Sequence, residues 1–138
     1  AASFIRQLRM VLDRALLPNQ LELARILIHE LFHFVWVRLS NAVRLAWENL
    51  LCAEFQRRAR GELGWSSEMR KSALPAAAAG VRSRRWREYA CESFCDTAAW
   101  LLGGLETHPE FTLKPSFRAT RARWFAELFR HRQGGLRI

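Results

Sequence analysis

Residues 26–37 read ILIHELFHFVWV and form the most hydrophobic stretch of the chain. Glu30 carries its only formal charge, and apolar residues fall on nearly every side of a helix with this sequence. A helix that is apolar almost all round is typical of the centre of a domain. Asn19 is a suitable N-cap, so the sequence predicts a buried helix from about residue 20 to residue 39.

The helical period also dominates the rest of the chain, and no run of alternating apolar and polar residues indicates a strand. Further helices are predicted over about 4–17, 42–60, 83–102 and 116–133, ended by Pro18, Gly61, Gly103 and Gly134. For residues 61–82 the sequence predicts a mobile surface loop with one short helix near 67–73. The expected fold is all-α in a single domain over residues 1–138, with about five helices around the central buried helix and little or no β-sheet.

The composition excludes several classes of protein. The chain has 138 residues, a net charge of +9 and 50% hydrophobic residues, which is too apolar for a disordered chain and suits one modest core. It has no long uncharged apolar stretch, so no membrane span is predicted. The basic charge predicts attraction to acidic partners, an anionic membrane surface or nucleic acid. Three cysteines cannot all pair within the chain and its start shows no signal-peptide pattern, so we predict a cytoplasmic location.

The central stretch contains the motif His29-Glu30-Leu31-Phe32-His33. Histidines four positions apart project from one face of a helix, so both imidazoles can reach a single metal ion. The carboxylate of Glu30 can reach a water on that metal, whose pKa zinc lowers to about 7, and accept its proton. The alternative is two core histidines with buried hydrogen-bond partners. A buried helix whose only polar side chains are these three needs partners for them, and a metal ion supplies one.

With uncharged residues around the HExxH motif, residues 26–35 resemble the zincin metallopeptidases. The resemblance implies that His29 and His33 bind Zn²⁺, that Glu30 is the general base and later the general acid, and that the substrate is a peptide or protein. The metzincin branch needs Gly and His at fixed places where residues 35–39 read VWVRL. The chain therefore looks like the gluzincin branch, as a minimal bacterial zinc-dependent peptidase domain.

Gluzincins take their third zinc ligand from a Glu on a later helix, often with an Asp four residues on that orients one zinc-bound His. Glu92 and Asp96 have this spacing and lie on one face of the helix predicted over 83–102. By resemblance, Glu92 is the third ligand, and Asp96 is the partner of His29 or His33.

Other ligand sets remain open. Three residues are alternatives to Glu92 as the third ligand: Glu88, His108 and His131. Cys91 and Cys95 are also four positions apart, so two His and two Cys could close a structural zinc site without catalysis. Only one face, that of the cysteines or that of Glu92, is expected to meet the histidine pair. The second hypothesis is accordingly a non-catalytic, zinc-stabilised interaction or regulatory module.

Peptide hydrolysis also needs a donor that stabilises the oxyanion opposite Glu30. The sequence offers candidates without choosing among them: Tyr89, His108, Arg118, Arg121 and Arg123. Relatives hold an extended substrate against the edge of a small sheet, and no such strand is predicted here.

A basic cluster precedes the helix of Glu92 and consists of Arg82, Arg84, Arg85 and Arg87. It is typical of a solvated first turn of a helix, and it also supports the third hypothesis, a basic helical nucleic-acid-binding domain. For the zinc peptidase, the same surface charge favours an acidic peptide or protein as substrate.

Overall fold

The structure is a computed structural model that describes residues 1–79 and 81–131. It contains five α-helices: α1 Gln20–Arg38, α2 Asn41–Gln56, α3 Trp65–Ser72, α4 Arg84–Leu102 and α5 Pro115–Arg130. A two-stranded hairpin precedes them, formed by β1 Ala2–Phe4 and β2 Arg9–Val11. The all-α prediction is confirmed. The predicted end of the last helix at Gly134 lies outside the described residues.

Side-chain caps fix the beginnings of the three long helices before α5. Asn19, Ser40 and Ser83 each accept a hydrogen bond from the backbone N–H three residues further on, at 3.1, 3.3 and 3.2 Å. These bonds satisfy amides that have no partner inside the helix. Pro115 occupies the first turn of α5, where its missing N–H costs nothing.

The helix predicted over 4–17 is wrong. The chain instead forms the antiparallel hairpin, with Ser3 opposite Met10, followed by a short 3₁₀ turn at Arg14–Leu16. Leu8 adopts a φ of 50°, a left-handed conformation that interrupts any helix. The apolar residues that suggested a helix are largely exposed, since Leu8 is 69% exposed and Val11 is 48% exposed.

Helix α4 packs against all four other helices, and the pair α1–α4 has the most extensive contact. Phe94 of α4 stacks on Phe125 of α5 with ring centroids 4.9 Å apart. Trp47 of α2 is fully buried and donates its indole N–H to the Ala90 carbonyl at 3.0 Å. Burial of these large rings is the main stabilising contribution to this core.

The first part of residues 61–79 is packed into the core rather than lying on the surface. The short helix predicted near 67–73 is α3, which begins two residues earlier. Glu62 and Leu63 are fully buried, because Leu63 joins a second apolar cluster and Glu62 meets Arg121 at 2.7 Å. The predicted mobility of the segment stays a prediction.

No helix in the described ranges, 1–79 and 81–131, is both long and apolar enough to cross a membrane. Helix α1 comes nearest in sequence, yet its buried face includes Arg25, His29 and Glu30. Arg25 pairs with Glu22 and Glu110, whereas His29 faces α4, Glu30 faces the hairpin, and both belong to the site described next.

Candidate metal centre

The packing of α1 against α4 brings together His29, His33 and Glu92. The Nε2 atoms of the two histidines lie 3.2 Å apart. Glu92 Oε2 lies 3.4 Å from His29 Nε2 and 3.7 Å from His33 Nε2. Three potential ligand atoms from two helices therefore converge on one point.

The separations between these atoms fit a metal ion. Metal–ligand distances of about 2.0–2.2 Å put two ligand atoms of a tetrahedral zinc site about 3.3–3.6 Å apart. The observed separations of 3.2, 3.4 and 3.7 Å bracket that range. Two imidazoles and one carboxylate form the donor set of catalytic zinc sites that keep a fourth position for solvent.

Asp96 lies behind His29, on the side away from Glu92. Its Oδ1 is 2.7 Å from His29 Nδ1, and its Oδ2 accepts a hydrogen bond from the Ser67 backbone N–H at 2.9 Å. With Nδ1 bonded to a carboxylate, the Nε2 lone pair of His29 is directed toward His33 and Glu92. Asp96 is thus placed against His29 rather than His33, the two partners that the sequence left open.

Gly64 makes room for the Asp96 carboxylate. A Cβ atom at position 64 would lie 2.2 Å from Asp96 Cγ, closer than real contacts allow. The φ of Gly64 is −176°, which any residue can adopt, so lack of space is the reason for glycine here. No feature of the sequence signals this requirement, because the contact joins residues 32 positions apart.

Glu30, the next residue after His29, is buried and contacts the hairpin. Ser3 in β1 donates its hydroxyl to Glu30 Oε2 at 2.6 Å and also lies 2.9 Å from the Glu30 carbonyl oxygen. A strand therefore borders the site, which the sequence did not predict. The Ser3 hydroxyl holds one carboxylate oxygen of Glu30, and the other has no such donor within the described residues.

Two clefts meet at Trp65. The first, the Glu30 cleft, has a volume of about 650 Å³ and is lined by Glu30, His29 and Asp96 among others. The second, the Arg70 cleft, has a volume of about 510 Å³ and is lined by Arg70 and Glu92. The three-ligand group thus lies between two openings large enough for parts of a peptide.

The groups around His29 and His33 favour a positive charge on the imidazole rings. Burial disfavours the charged form of His29, but hydrogen bonds to Asp96 and Glu92 outweigh that cost and raise its pKa to about 10. Burial likewise opposes the charge of His33, whereas Cys91 and Glu92 raise its pKa. Carboxylates that favour a proton on an imidazole also favour a metal cation in its place.

The cysteine face meets His33 as well. Cys91 Sγ lies 3.4 Å from His33 Nδ1, and Cys95 completes a group whose ligand atoms all lie within 4.8 Å of one another. A hydrogen bond from Cys95 lowers the pKa of the Cys91 thiol to about 6 against the effect of burial, and His33 adds to the lowering. Burial raises the pKa of the Cys95 thiol.

Only Glu92 contacts both histidines, as expected, but the cysteine face of α4 also reaches His33. Glu92 approaches both histidines from their Nε2 side, while the cysteines approach His33 from its Nδ1 side. The two groups share His33. Among residues 1–79 and 81–131, the pair of histidines and the pair of cysteines do not form one four-residue group.

The alternative third ligands lie elsewhere. Glu88 pairs with Arg70 at 2.8 Å and with Arg84 at 2.9 Å. His108 lies 3.4 Å from Glu22, and His131 lies 3.6 Å from Glu127 at the end of α5. None of the three belongs to a metal-ligand group of the described residues, whereas Glu92 does.

The candidate oxyanion donors are used in packing. Tyr89 and Arg121 are fully buried, where both bond to Glu62. Arg118 donates to the backbone carbonyls of Leu113 and Phe111. His108 lies near Glu22, as described above, and Arg123 lies on the exposed side of α5.

A donor that sequence reasoning missed lies beside Glu92. Arg70 in α3 has its Nε 3.7 Å from Glu92 Oε1, the oxygen that faces away from the histidines, and its side chain is 44% exposed. It was missed because residues 61–82 offered no periodic pattern that would place α3 beside α4.

The basic cluster ahead of α4 is partly paired. Arg82 donates two hydrogen bonds to Glu48 at 2.8 Å, and Arg84 donates one to Glu88. Arg85 lines the Arg70 cleft. The cluster is thus divided between ion pairs and a cleft wall beside the three-ligand group.

Comparison with protein-family models, with curated proteins and with solved structures gave no match to this chain. The resemblance to zincin metallopeptidases therefore rests on the sequence motif in residues 26–35 alone.

Proposed function

We propose that this protein is a zinc-dependent metallopeptidase of the gluzincin type, with His29, His33 and Glu92 as zinc ligands. The observation that carries the proposal is the convergence of the three ligand atoms, 3.2–3.7 Å apart, beside a buried Glu30. A zinc ion bound there supplies a Lewis acid that acidifies water and polarises a peptide carbonyl.

Glu30 acts as the proton carrier in this proposal. It is the next residue after His29 and lines the same cleft, where its carboxylate can accept a proton from the attacking water and return it to the leaving amine. The Ser3 hydroxyl holds Oε2 and leaves Oε1 for that proton. Asp96 fixes the ring of His29 and thereby the direction of its Nε2.

The substrate proposed is a peptide or protein segment that lies across the two clefts. An acidic side chain of that segment would meet Arg85 in the Arg70 cleft, where Arg70 itself is paired with Glu88 and Glu92, and Arg85 supports acidic peptides as partners. β1 borders Glu30 through Ser3, so its backbone is available to align an extended peptide.

The second candidate is a non-catalytic zinc-stabilised interaction or regulatory module. The observation in its favour is the approach of Cys91 and Cys95 to His33, since thiolates are common in structural zinc sites. In such a module Glu30 has no chemical role.

Replacement of Glu30 by Gln separates the two candidates. The zinc-reconstituted wild type and Glu30→Gln are incubated with a mixture of synthetic peptides, products are identified by mass spectrometry, and zinc is measured in both proteins. We expect Glu30→Gln to keep stoichiometric zinc and to lose hydrolysis by about 100-fold or more, as for removal of a general base. Glu127→Gln is the matched control and should cleave normally, since Glu127 is an exposed carboxylate of α5 that pairs with Arg130 and lines neither cleft. Equal cleavage by Glu30→Gln, or no stoichiometric zinc in the wild type, would contradict the proposal.

A further inference from the structure

His33 presents its two ring nitrogens to two different sets of ligand atoms. Nε2 faces His29 and Glu92, and Nδ1 faces Cys91 Sγ at 3.4 Å. Cys91 and Cys95 are one turn apart on α4, and with His33 they form a group whose ligand atoms all lie within 4.8 Å of one another.

The cysteine group has the dimensions of a metal site of its own. With a metal–sulfur distance of about 2.3 Å and a metal–nitrogen distance of about 2.0 Å, a tetrahedral angle puts sulfur and nitrogen about 3.5 Å apart. The observed separation of 3.4 Å between Cys91 Sγ and His33 Nδ1 agrees with that value. Cys95 is fully buried, whereas Cys91 and His33 are partly exposed, which leaves an approach for an ion.

We propose that His33, Cys91 and Cys95 form a second metal site, for a soft thiophilic ion such as Cu(I), and that His33 bridges this site and the three-ligand group. Two sulfur ligands and one imidazole select soft ions over hard ones. Binding at both ring nitrogens removes the imidazole proton, and the two thiols also lose their protons to solvent. His29 takes no part, because its Nδ1 is held by Asp96 and its Nε2 faces Glu92.

The inference goes beyond the proposed hydrolysis and rests on it only through the shared His33. A soft ion at the cysteine group does not need Glu30 or Glu92, and hydrolysis does not need the cysteines. The two claims can therefore fail independently.

Cadmium ion is the probe, since thiolate ligands give Cd²⁺ a charge-transfer absorption in the ultraviolet that imidazole and carboxylate do not. The reduced, metal-free protein is titrated with Cd²⁺ under anaerobic conditions. We expect the thiolate band in the wild type, at unchanged intensity in Glu92→Gln and in His29→Asn. Cys91→Ser should weaken Cd²⁺ binding at this band by about tenfold or more, because it removes one of three ligands. Cys52→Ser is the matched control, since Cys52 lies on α2 outside the group, and it should not change the band.

Several results would overturn the inference. If the wild type shows no thiolate band, Cys91 is only a hydrogen-bond partner of His33. If His29→Asn abolishes the band, the ion is shared by both histidines and both cysteines in a single closed site. An unchanged titration of Cys91→Ser, or of Cys91→Ala as a second replacement, would also contradict it, and far-ultraviolet circular dichroism of each variant verifies the fold. Failure of the proposed hydrolysis would appear separately, in the zinc-loaded Glu30→Gln comparison.

Discussion

Gly64 lies against the Asp96 carboxylate, which holds the ring of His29. A methyl group added at position 64 therefore tests the role of Asp96 without changing a metal ligand. In Gly64→Ala the new Cβ would lie 2.2 Å from Asp96 Cγ and 2.3 Å from Oδ1. Ordinary contact needs about 3.5 Å, so the carboxylate must withdraw by roughly 1 Å. Oδ1 is 2.7 Å from His29 Nδ1 and Oδ2 is 2.9 Å from the Ser67 N–H, and a shift of that size breaks at least one of these bonds.

The expected cost of Gly64→Ala has two parts. Overpacking of this buried position should lower the free energy of unfolding by about 1–3 kcal/mol. Loss of the carboxylate that orients a metal-bound histidine typically lowers metal affinity by about 10–100-fold. Zinc affinity is measured by competition with a chelator of known affinity, and stability by denaturant unfolding of the metal-free protein.

A double-mutant cycle shows whether displacement of Asp96 causes the loss of zinc affinity in Gly64→Ala. In an Asp96→Ala background the methyl group has room, so Gly64→Ala should change zinc affinity by less than about twofold there. If Gly64→Ala binds zinc as tightly as the wild type, or weakens binding equally in both backgrounds, the role given to Asp96 is refuted.

Three further predictions concern ligand identity and the buried ion network. Glu92→Gln should lower zinc affinity by about 100-fold or more, because it replaces a charged ligand by a neutral one. Glu88→Gln should leave zinc affinity unchanged. Equal effects of the two replacements in the chelator competition would contradict Glu92 as the third ligand. Arg121→Met should lower the free energy of unfolding by about 3–5 kcal/mol in denaturant unfolding, because Glu54 and Glu62 keep buried charges without their partner. Burial disfavours the charged form of Glu62, but the nearby Arg121 outweighs burial and lowers the pKa of Glu62 from 4.5 to about 2. The ionised Glu62 therefore contributes fully to the free energy of unfolding above pH 4.5, and this contribution is lost as the pH falls toward 2. Unfolding measured across that range should show a steeper loss in the wild type than in Glu62→Gln, and parallel curves would contradict this.

The helical part of the fold was predictable because its signals are local. The caps Asn19, Ser40 and Ser83 lie next to apolar periodic segments, and each begins a helix where the sequence indicates. The hairpin was not predictable in this way. Its apolar residues have helical spacing, but Leu8 has a left-handed backbone conformation and remains 69% exposed.

The ligand residues were predictable from spacing within two helices, and their surroundings were not. His29 and His33 share a face of α1, and Glu92 and Asp96 share a face of α4, so packing of the two helices suffices to bring them together. The contribution of Gly64 depends on contacts between distant segments. Such contacts leave no pattern in the sequence of either segment alone.

The buried Arg121 network shows the same limit. Nothing in the sequence distinguishes Arg121 from the other arginines. In the structure it is fully buried and donates hydrogen bonds to Glu54 and Glu62 at 2.7 Å each. Burial of a guanidinium is tolerated only where carboxylates surround it, and these come from α2 and from the segment before α3. The network also removes Tyr89 and Arg121 from the list of groups that can face a substrate.

The most direct test of the central claim is the list of ligands around zinc, read from a crystal structure of the protein loaded with one equivalent of the ion. We expect an ion bonded to His29 Nε2, His33 Nε2 and a Glu92 oxygen, with Glu30 beside a fourth position that solvent fills. An ion held by Cys91 and Cys95, or a fourth protein ligand that closes the site, would contradict a catalytic role.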